Sequence, residues 1–303
     1  MTCMIEKSTD KPYFILGTEA TRNAVEAWSV ARLLFEPKDW LLEMRNSLNA
    51  EIRHIEPSPD MGLYALYTSA EAGYFDLENI LLYNVGTGAF TNLCKNSLCF
   101  ERRVSAVAKL PQYIDNMRHH YYYSMISSTD EPRFWKEEKL LARWNNIKFN
   151  SLRTTIKPHT VWDAIKNGKV EVFEKVEPYS FLGLNIKIQS PKDKKVNLAA
   201  VIKPLLDGII SAFHEQNGSP DIVSTNRLAT LLGKPPREIE KMLCNSQAAV
   251  LGKRNLIHPF REGIQWNPAD DLCMAVKVTL EDSLAGQEWQ MSGELFTVKE
   301  HNS

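Results

Sequence analysis

The chain has 303 residues, 44% hydrophobic and 24% charged, the balance of a globular protein with material for one large domain or two ordinary ones. Its formal net charge of −1 excludes a global electrostatic pull toward nucleic acid or an anionic membrane and leaves room only for local basic patches. No run of about 18 uncharged apolar residues occurs, so no membrane-spanning helix is expected, and Met1 to Lys11 shows no apolar core of the kind a signal peptide carries.

Thr18 to Phe35 places Ala24, Trp28, Ala31 and Leu34 at helical spacing, with Pro37 as the stop, and Trp40 to Leu48 predicts a second short helix. Leu63 to Ser69 alternates as a strand, and Leu98 to Val104 predicts another. Arg118 to Tyr123 is a polar aromatic cluster, read as a mixed solvent face. Glu131 to Trp144 reads as an exposed charged helix or loop. Thr160 to Lys166 predicts a short helix capped by Thr160. Phe181 to Gln189 alternates as a strand, and Asn197 to His214 is a strongly apolar helix. Ser224 to Leu232 and Pro236 to Leu243 form a helical hairpin across Gly233, with Ser224 or Thr225 as the first cap. Met274 to Leu280 and Gly293 to Lys299 predict the last strands.

These elements predict an α/β or α+β fold, a compact unit of two similar strand–loop–helix halves. Residues 1–160 carry the Asp76 segment; residues 161–303 carry the Lys203 helix and the helical hairpin. The order from Leu63 to Phe90 repeats from Phe181 to Phe213, which reads either as an ancient duplication or as the ordinary succession of an α/β chain. Five cysteines (Cys3, Cys94, Cys99, Cys244, Cys273), an odd number without C-x-x-C spacing, are expected to be free thiols of a cytoplasmic protein.

Two segments carry candidate chemistry. Asp76-Leu77-Glu78-Asn79 sets two carboxylates and an amide ahead of an apolar run. Carboxylates two apart share one side where a loop enters a helix, and Mg²⁺ takes one or two such oxygens with retained water. Asp76 and Glu78 are therefore candidate metal ligands, with Asn79 to orient a ligand. The alternative is a helix start capped by Asp76. The second segment, Lys203-Pro204-Leu205-Leu206-Asp207, lies in the most apolar helix. There Lys203, Asp207, Ser211 and His214 form one polar stripe facing either water or a lined cleft. Pro204 starts a second segment or kinks a longer one. Trp266 to Asp271 is read as a turn ahead of a strand.

Together the two segments resemble the RusA-type Holliday-junction resolvases, whose motif is D-x-D-N, a lysine three residues on and an aspartate four further. Asp76 to Asn79 matches the first part and Lys203 with Asp207 the second. Leu82 and Gly86 stand where the first copy needs lysine and aspartate, and Ala199 and Ala200 replace the acid–amide pair of the second. The family also has an Asp-Asp pair shortly downstream, whereas Asp270-Asp271 lies far along this chain. The resemblance implies an α/β fold and a metal-dependent nuclease site, active or ancestral. The function expected is nucleic-acid binding with Mg²⁺-dependent phosphodiester cleavage by Asp76, Glu78, Lys203 and Asp207, with His214 as a further candidate. The alternative is a non-catalytic adaptor or subunit, as in a bacterial or phage defence system, meeting a protein partner or a second copy through exposed Tyr121–Tyr123 and Trp266.

Overall fold

The computed structural model describes residues 11–21, 23–71, 73, 75–107, 116–149, 151–177, 180–192, 194–282 and 288–301. The amino-terminal segment read for a signal peptide, bar Lys11, and Cys3 lie outside that set. Strand β1 (Tyr13–Leu16) and a single helical turn, α1 (Thr18–Thr21), lead into β2 (Ala24–Ser29). The helix expected over Thr18–Phe35 is thus corrected. Asn23 takes a positive φ of 71°, which ends the helix at its first turn, and β2 gains ladder partners on both sides. Then come α2 (Asp39–Ile52), β3 (Met61–Thr68), a crossover with a π-helical turn (Asn79–Tyr83) and a 3₁₀ turn (Thr87–Phe90), and β4 (Ser97–Arg103).

β5 (His119–Ser127) replaces the expected solvent-facing aromatic cluster: it runs between β2 and β3, and Tyr121 and Tyr123 are fully buried. β6 (Trp135–Phe149) replaces the expected charged helix or loop. Its charged residues Lys136 to Lys139 stay exposed while β14 supplies a long ladder, a partner too distant in sequence to be anticipated locally. α3 (Pro158–Asn167) is preceded by Lys157 rather than capped by Thr160. β7 (Val170–Val172), β8 (Leu182–Ser190), α4 (Leu198–Ala212) and β9 (Glu215–Gln216) follow. α5 (Ile222–Leu232) is capped by Asp221, whose carboxylate accepts the Ser224 N–H, and is closed by Gly233 at φ 63°. α6 (Pro236–Leu243), β10 (Lys253–Arg254), β11 (Ile257–Phe260), β12 (Gly263–Trp266), β13 (Cys273–Asp282) and β14 (Trp289–Glu300) complete the chain.

Ten strands form one mixed sheet in the order β1-β2-β5-β3-β4-β13-β8-β14-β6-β7. Its central pair, β4 and β13, is antiparallel. Outward from β4, β3 is parallel and β5 and β2 alternate antiparallel. Outward from β13, β8 is parallel and β14 and β6 alternate antiparallel. The sheet therefore reads the same from either end about the β4–β13 seam, and in each half a helical crossover joins the parallel pair. By pairing, β6 sits with the second half, so the halves join at residues 128–134, upstream of the residue-160 division.

Leu63, Ala65, Leu98, Phe100, Leu184, Ile186, Val276 and Val278 share one core with Leu48, Leu81, Val161, Ile202 and Leu206 of the helical segments. The opposite face carries two smaller clusters, around Tyr64 and Leu66 and around Trp135 and Phe296. The segment joining the halves is clamped to this second face at the seam. Fully buried Glu101 of β4 accepts the Arg133 N–H at 2.7 Å, the Phe134 N–H at 2.9 Å and the Tyr64 hydroxyl at 2.5 Å. Lys277 of β13 donates to Glu131 at 2.5 Å and to the Thr129 carbonyl at 3.2 Å. Cys94, Cys99, Cys244 and Cys273 are free. No helix among the described residues is long and apolar enough to cross a membrane.

Candidate metal centre

After β3 the chain turns across the end of the sheet and enters the first crossover at Asp76. Arg102 of β4 holds this turn. Its guanidinium donates to the carbonyls of Glu71 (2.7 Å) and Gly73 (3.0 Å) and lies 4.1 Å from the Phe75 ring centre, with Arg32 at 4.4 Å. Helical winding begins at Asp76, whose carbonyl accepts the Ile80 N–H. The Asp76 side chain does not cap it, however. Its Oδ2 accepts from Asn79 Nδ2 at 2.6 Å and from Lys203 Nζ at 3.0 Å. Asn79 thus orients a carboxylate of the chain itself. The following turn is wound as a π-helix, with Asn84 N–H donating to the Asn79 carbonyl at 2.7 Å, a local widening common at functional positions.

Lys203 reaches the same point from α4. Asn197 caps that helix by accepting the Ala199 N–H, and the helix runs on through Pro204 without a break. Proline has no N–H, so the Ala200 carbonyl loses its usual donor. The Tyr83 hydroxyl replaces it at 2.9 Å, stitching the first crossover to the second beside the cluster. Burial pushes the Tyr83 phenol up to about 12.

Four carboxylates surround the Lys203 ammonium: Asp76 and Glu78 at 3.0 Å, Asp207 at 3.3 Å and Asp270 at 3.6 Å. Asp270 lies in a short 3₁₀ turn directly before β13, where the sequence predicts only an ordinary turn. The chemistry-bearing signal was the Asp270-Asp271 pair itself, masked by its distance along the chain. The structure removes that distance, because α5, α6 and β9 to β12 fold away from the sheet between α4 and β13. Asp271 takes no part and pairs with Arg254 at 3.5 Å.

Asp76, Glu78 and Asp270 each present an oxygen within 4.8 Å of the other two, so this triad could hold a metal ion. Four carboxylates face one ammonium, an excess of negative charge that protons or a bound cation would offset. Burial pushes Glu78, only 1% exposed, up to about 7, with Lys203 opposing. Burial and the charges of Glu78 and Asp76 push Asp270 up to about 9. Burial also raises Asp207. Burial acts to lower Lys203, but Glu78, Asp207, Asp76 and Asp270 together outweigh it and lift its pKa well above the ordinary lysine range. The ammonium therefore stays charged while part of the carboxylate set holds protons.

The cluster lies in an open cleft of about 900 Å³. Lys157 and His159 at the start of α3, and Phe260, Gln265 and Trp266 of the β11–β12 hairpin, line its other walls. His214 is not there. It lies 11 residues beyond Lys203, about 16 Å along the helix. It is buried, with Nδ1 3.3 Å from the Gly252 carbonyl, and burial pushes its pKa down to about 4. With Ser211 also buried, the polar stripe of α4 is not a solvated face. One end belongs to the carboxylate cluster and the other to the helix terminus.

No protein-family model matches this chain, and no curated protein matches its sequence.

Proposed function

We propose that this protein binds nucleic acid and cleaves phosphodiester bonds with a divalent cation held by Asp76, Glu78 and Asp270. The observation that carries the reading is the meeting, at the floor of an open cleft, of carboxylates from three chain segments on one lysine. Three hard oxygens with room for water suit Mg²⁺ or Mn²⁺ better than a nitrogen- or sulfur-preferring metal. Bound there, such an ion supplies an activated water and screens the phosphate.

The chain's own residues do the rest. Lys203 brings a permanent positive charge to the cleft floor, where it faces a scissile phosphate. Asp207, one helical turn on, holds the ammonium in place at 3.3 Å. Glu78, pushed up to about 7 without metal, would give up its proton on holding the cation, so metal binding should strengthen as pH rises through that range. Asn79 keeps the Asp76 carboxylate turned toward the cluster. The reading agrees with the RusA-type resemblance, since the acids of one motif fragment and the lysine of the other lie side by side. The adaptor alternative loses part of its surface, because Tyr121 and Tyr123 are fully buried and Trp266 packs on Trp162 with ring centres 5.4 Å apart.

The test is incubation with branched and linear DNA and with RNA, in Mg²⁺, in Mn²⁺ and in EDTA. Cleavage is expected only with metal and is lost in Asp76→Asn and Glu78→Gln variants that keep wild-type circular dichroism. Activity persisting in both variants removes these residues from the reaction.

A further inference from the structure

The sheet's internal symmetry implies a second position equivalent to the carboxylate cluster, and its contents are informative. Leu63 of β3 pairs with Leu98 of β4 and Met125 of β5. Leu184 of β8 pairs with Val276 of β13 and Leu295 of β14 in the same pattern. All six pack into or against the one core. The chain offset that carries Leu63 to Leu184 also carries Asp76 to Asn197, Glu78 to Ala199, Leu82 to Lys203 and Gly86 to Asp207. The offset from Leu98 to Val276 carries Asn92 to Asp270.

Contacts bear this equivalence out. Asp76 touches Lys203, close to Asp207 and Asp270. Its counterpart Asn197 donates to the Thr87 carbonyl and to Thr91 Oγ1, both at 3.2 Å, beside Gly86 and Asn92. The second position is thus a real place in the fold, and none of the five residues that map onto the cluster is ionisable. Asn197, Ala199, Leu82, Gly86 and Asn92 stand where the cluster has Asp76, Glu78, Lys203, Asp207 and Asp270. Leu82 is fully buried, Asn197 is spent on capping α4, and Gly86 sits at φ 114°, which an aspartate would not readily adopt.

The surroundings differ in the same sense. Between α4 and Asp270 the second half inserts β9 to β12, α5 and α6, which supply the Phe260–Trp266 wall of the cleft. In the first half the chain passes from Phe90 to Ser97 with only residues 91–96 between. We infer that this chain is a fused pair with a single working site, composite between its halves, and that each molecule therefore cuts one strand per binding event. The inference rests on the proposed nuclease reading: Asp76 and Glu78 come from the first half, and Lys203, Asp207 and Asp270 from the second.

Mn²⁺ titration of the full chain tests it, read by calorimetry and by paramagnetic resonance. Wild-type protein is expected to bind Mn²⁺, Glu78→Gln to lose all binding of comparable affinity, and Asn92→Ala to keep it. Binding that survives Glu78→Gln, or falls in Asn92→Ala, overturns the single-site inference while leaving a metal centre in place. Wild-type protein that neither binds Mn²⁺ nor cleaves overturns both. Where cleavage occurs, the first strand cut should be independent of protein concentration in excess enzyme and the second should accelerate with it. Two cuts at one concentration-independent rate overturn the inference.

Discussion

Lys203 is one ammonium among four carboxylates. Removing it leaves the acids facing one another with nothing between them. Lys203→Met should therefore destabilise the metal-free protein by about 3 kcal/mol, read as the urea midpoint at pH 8. The loss should shrink at pH 5, where Glu78 and Asp270 hold protons. Glu78 behaves oppositely. Its pKa is about 7 in the folded protein against about 4.3 in an unfolded chain. Between those values the unfolded chain gives up its proton first, so stability falls as pH rises. Asp270, near 9 when folded, extends the fall upward. The melting temperature of metal-free protein should drop from pH 5 to pH 9. Glu78→Gln should flatten the lower part of that drop and raise stability at pH 8, at the cost of metal-dependent cleavage. Mn²⁺ should restore the wild type most at high pH. A profile in which the variant and the wild type fall in parallel would remove Glu78 from the account.

At the scale of elements, the site depends on a proline where a helix does not ordinarily tolerate one. α4 runs through Pro204 because Tyr83 repairs the lost hydrogen bond from outside the helix. Tyr83→Phe should strand the Ala200 carbonyl and cost about 1–2 kcal/mol. In a Pro204→Ala background, where an N–H is again available within the helix, the same change should cost markedly less. A double-mutant cycle by thermal unfolding gives the coupling; additive effects would contradict the repair. The elements that carry the site were legible in sequence for a plain reason. β3, β8 and α4 bury one face or nearly everything, so their periodicity is written locally, in Leu182, Leu184, Ile186 and Ile188 or in Leu198, Val201 and Ile202. β2, β5 and β6 were not. Over Ala24–Ser29 a helical and an alternating pattern coincide, and only the ladders to β1 and β5 choose between them. β6 is stabilised as a strand by β14, more than a hundred residues away in sequence.

For the molecule as a whole, two halves share one sheet through the β4–β13 seam, and the segment joining them is fastened across that seam by Glu101 and Lys277. Glu101→Ala leaves two backbone N–H groups and a tyrosine hydroxyl without their acceptor and should cost about 3 kcal/mol in all. Residues 128–134 should then become the first site of limited proteolysis, identified by mass spectrometry of the fragments. Cleavage first at the Phe260–Gly263 hairpin tip instead would place the weakest point in the insertion. The composite centre follows from this arrangement, since neither half holds both the acid triad and the lysine. Separately expressed halves should therefore bind no Mn²⁺ until mixed and paired.

The amino-acid sequence by itself determined the two-state vocabulary of this fold, its mixed α and β content, and the residue types of the centre. Burial periodicity and side-chain chemistry are local properties, and Asp76, Glu78, Lys203 and Asp207 could be singled out by them. Which acids meet which base was decided only by the tertiary structure. Contact across the seam depends on strand order and register, and no short-range pattern encodes either. The same holds for Asp270, whose place beside Lys203 exists because an inserted hairpin and helix pair fold out of the way. His214 shows the converse: it shares a helix stripe with Lys203, yet the packing at the end of α4 buries it among other partners, about three turns from the charge it was grouped with.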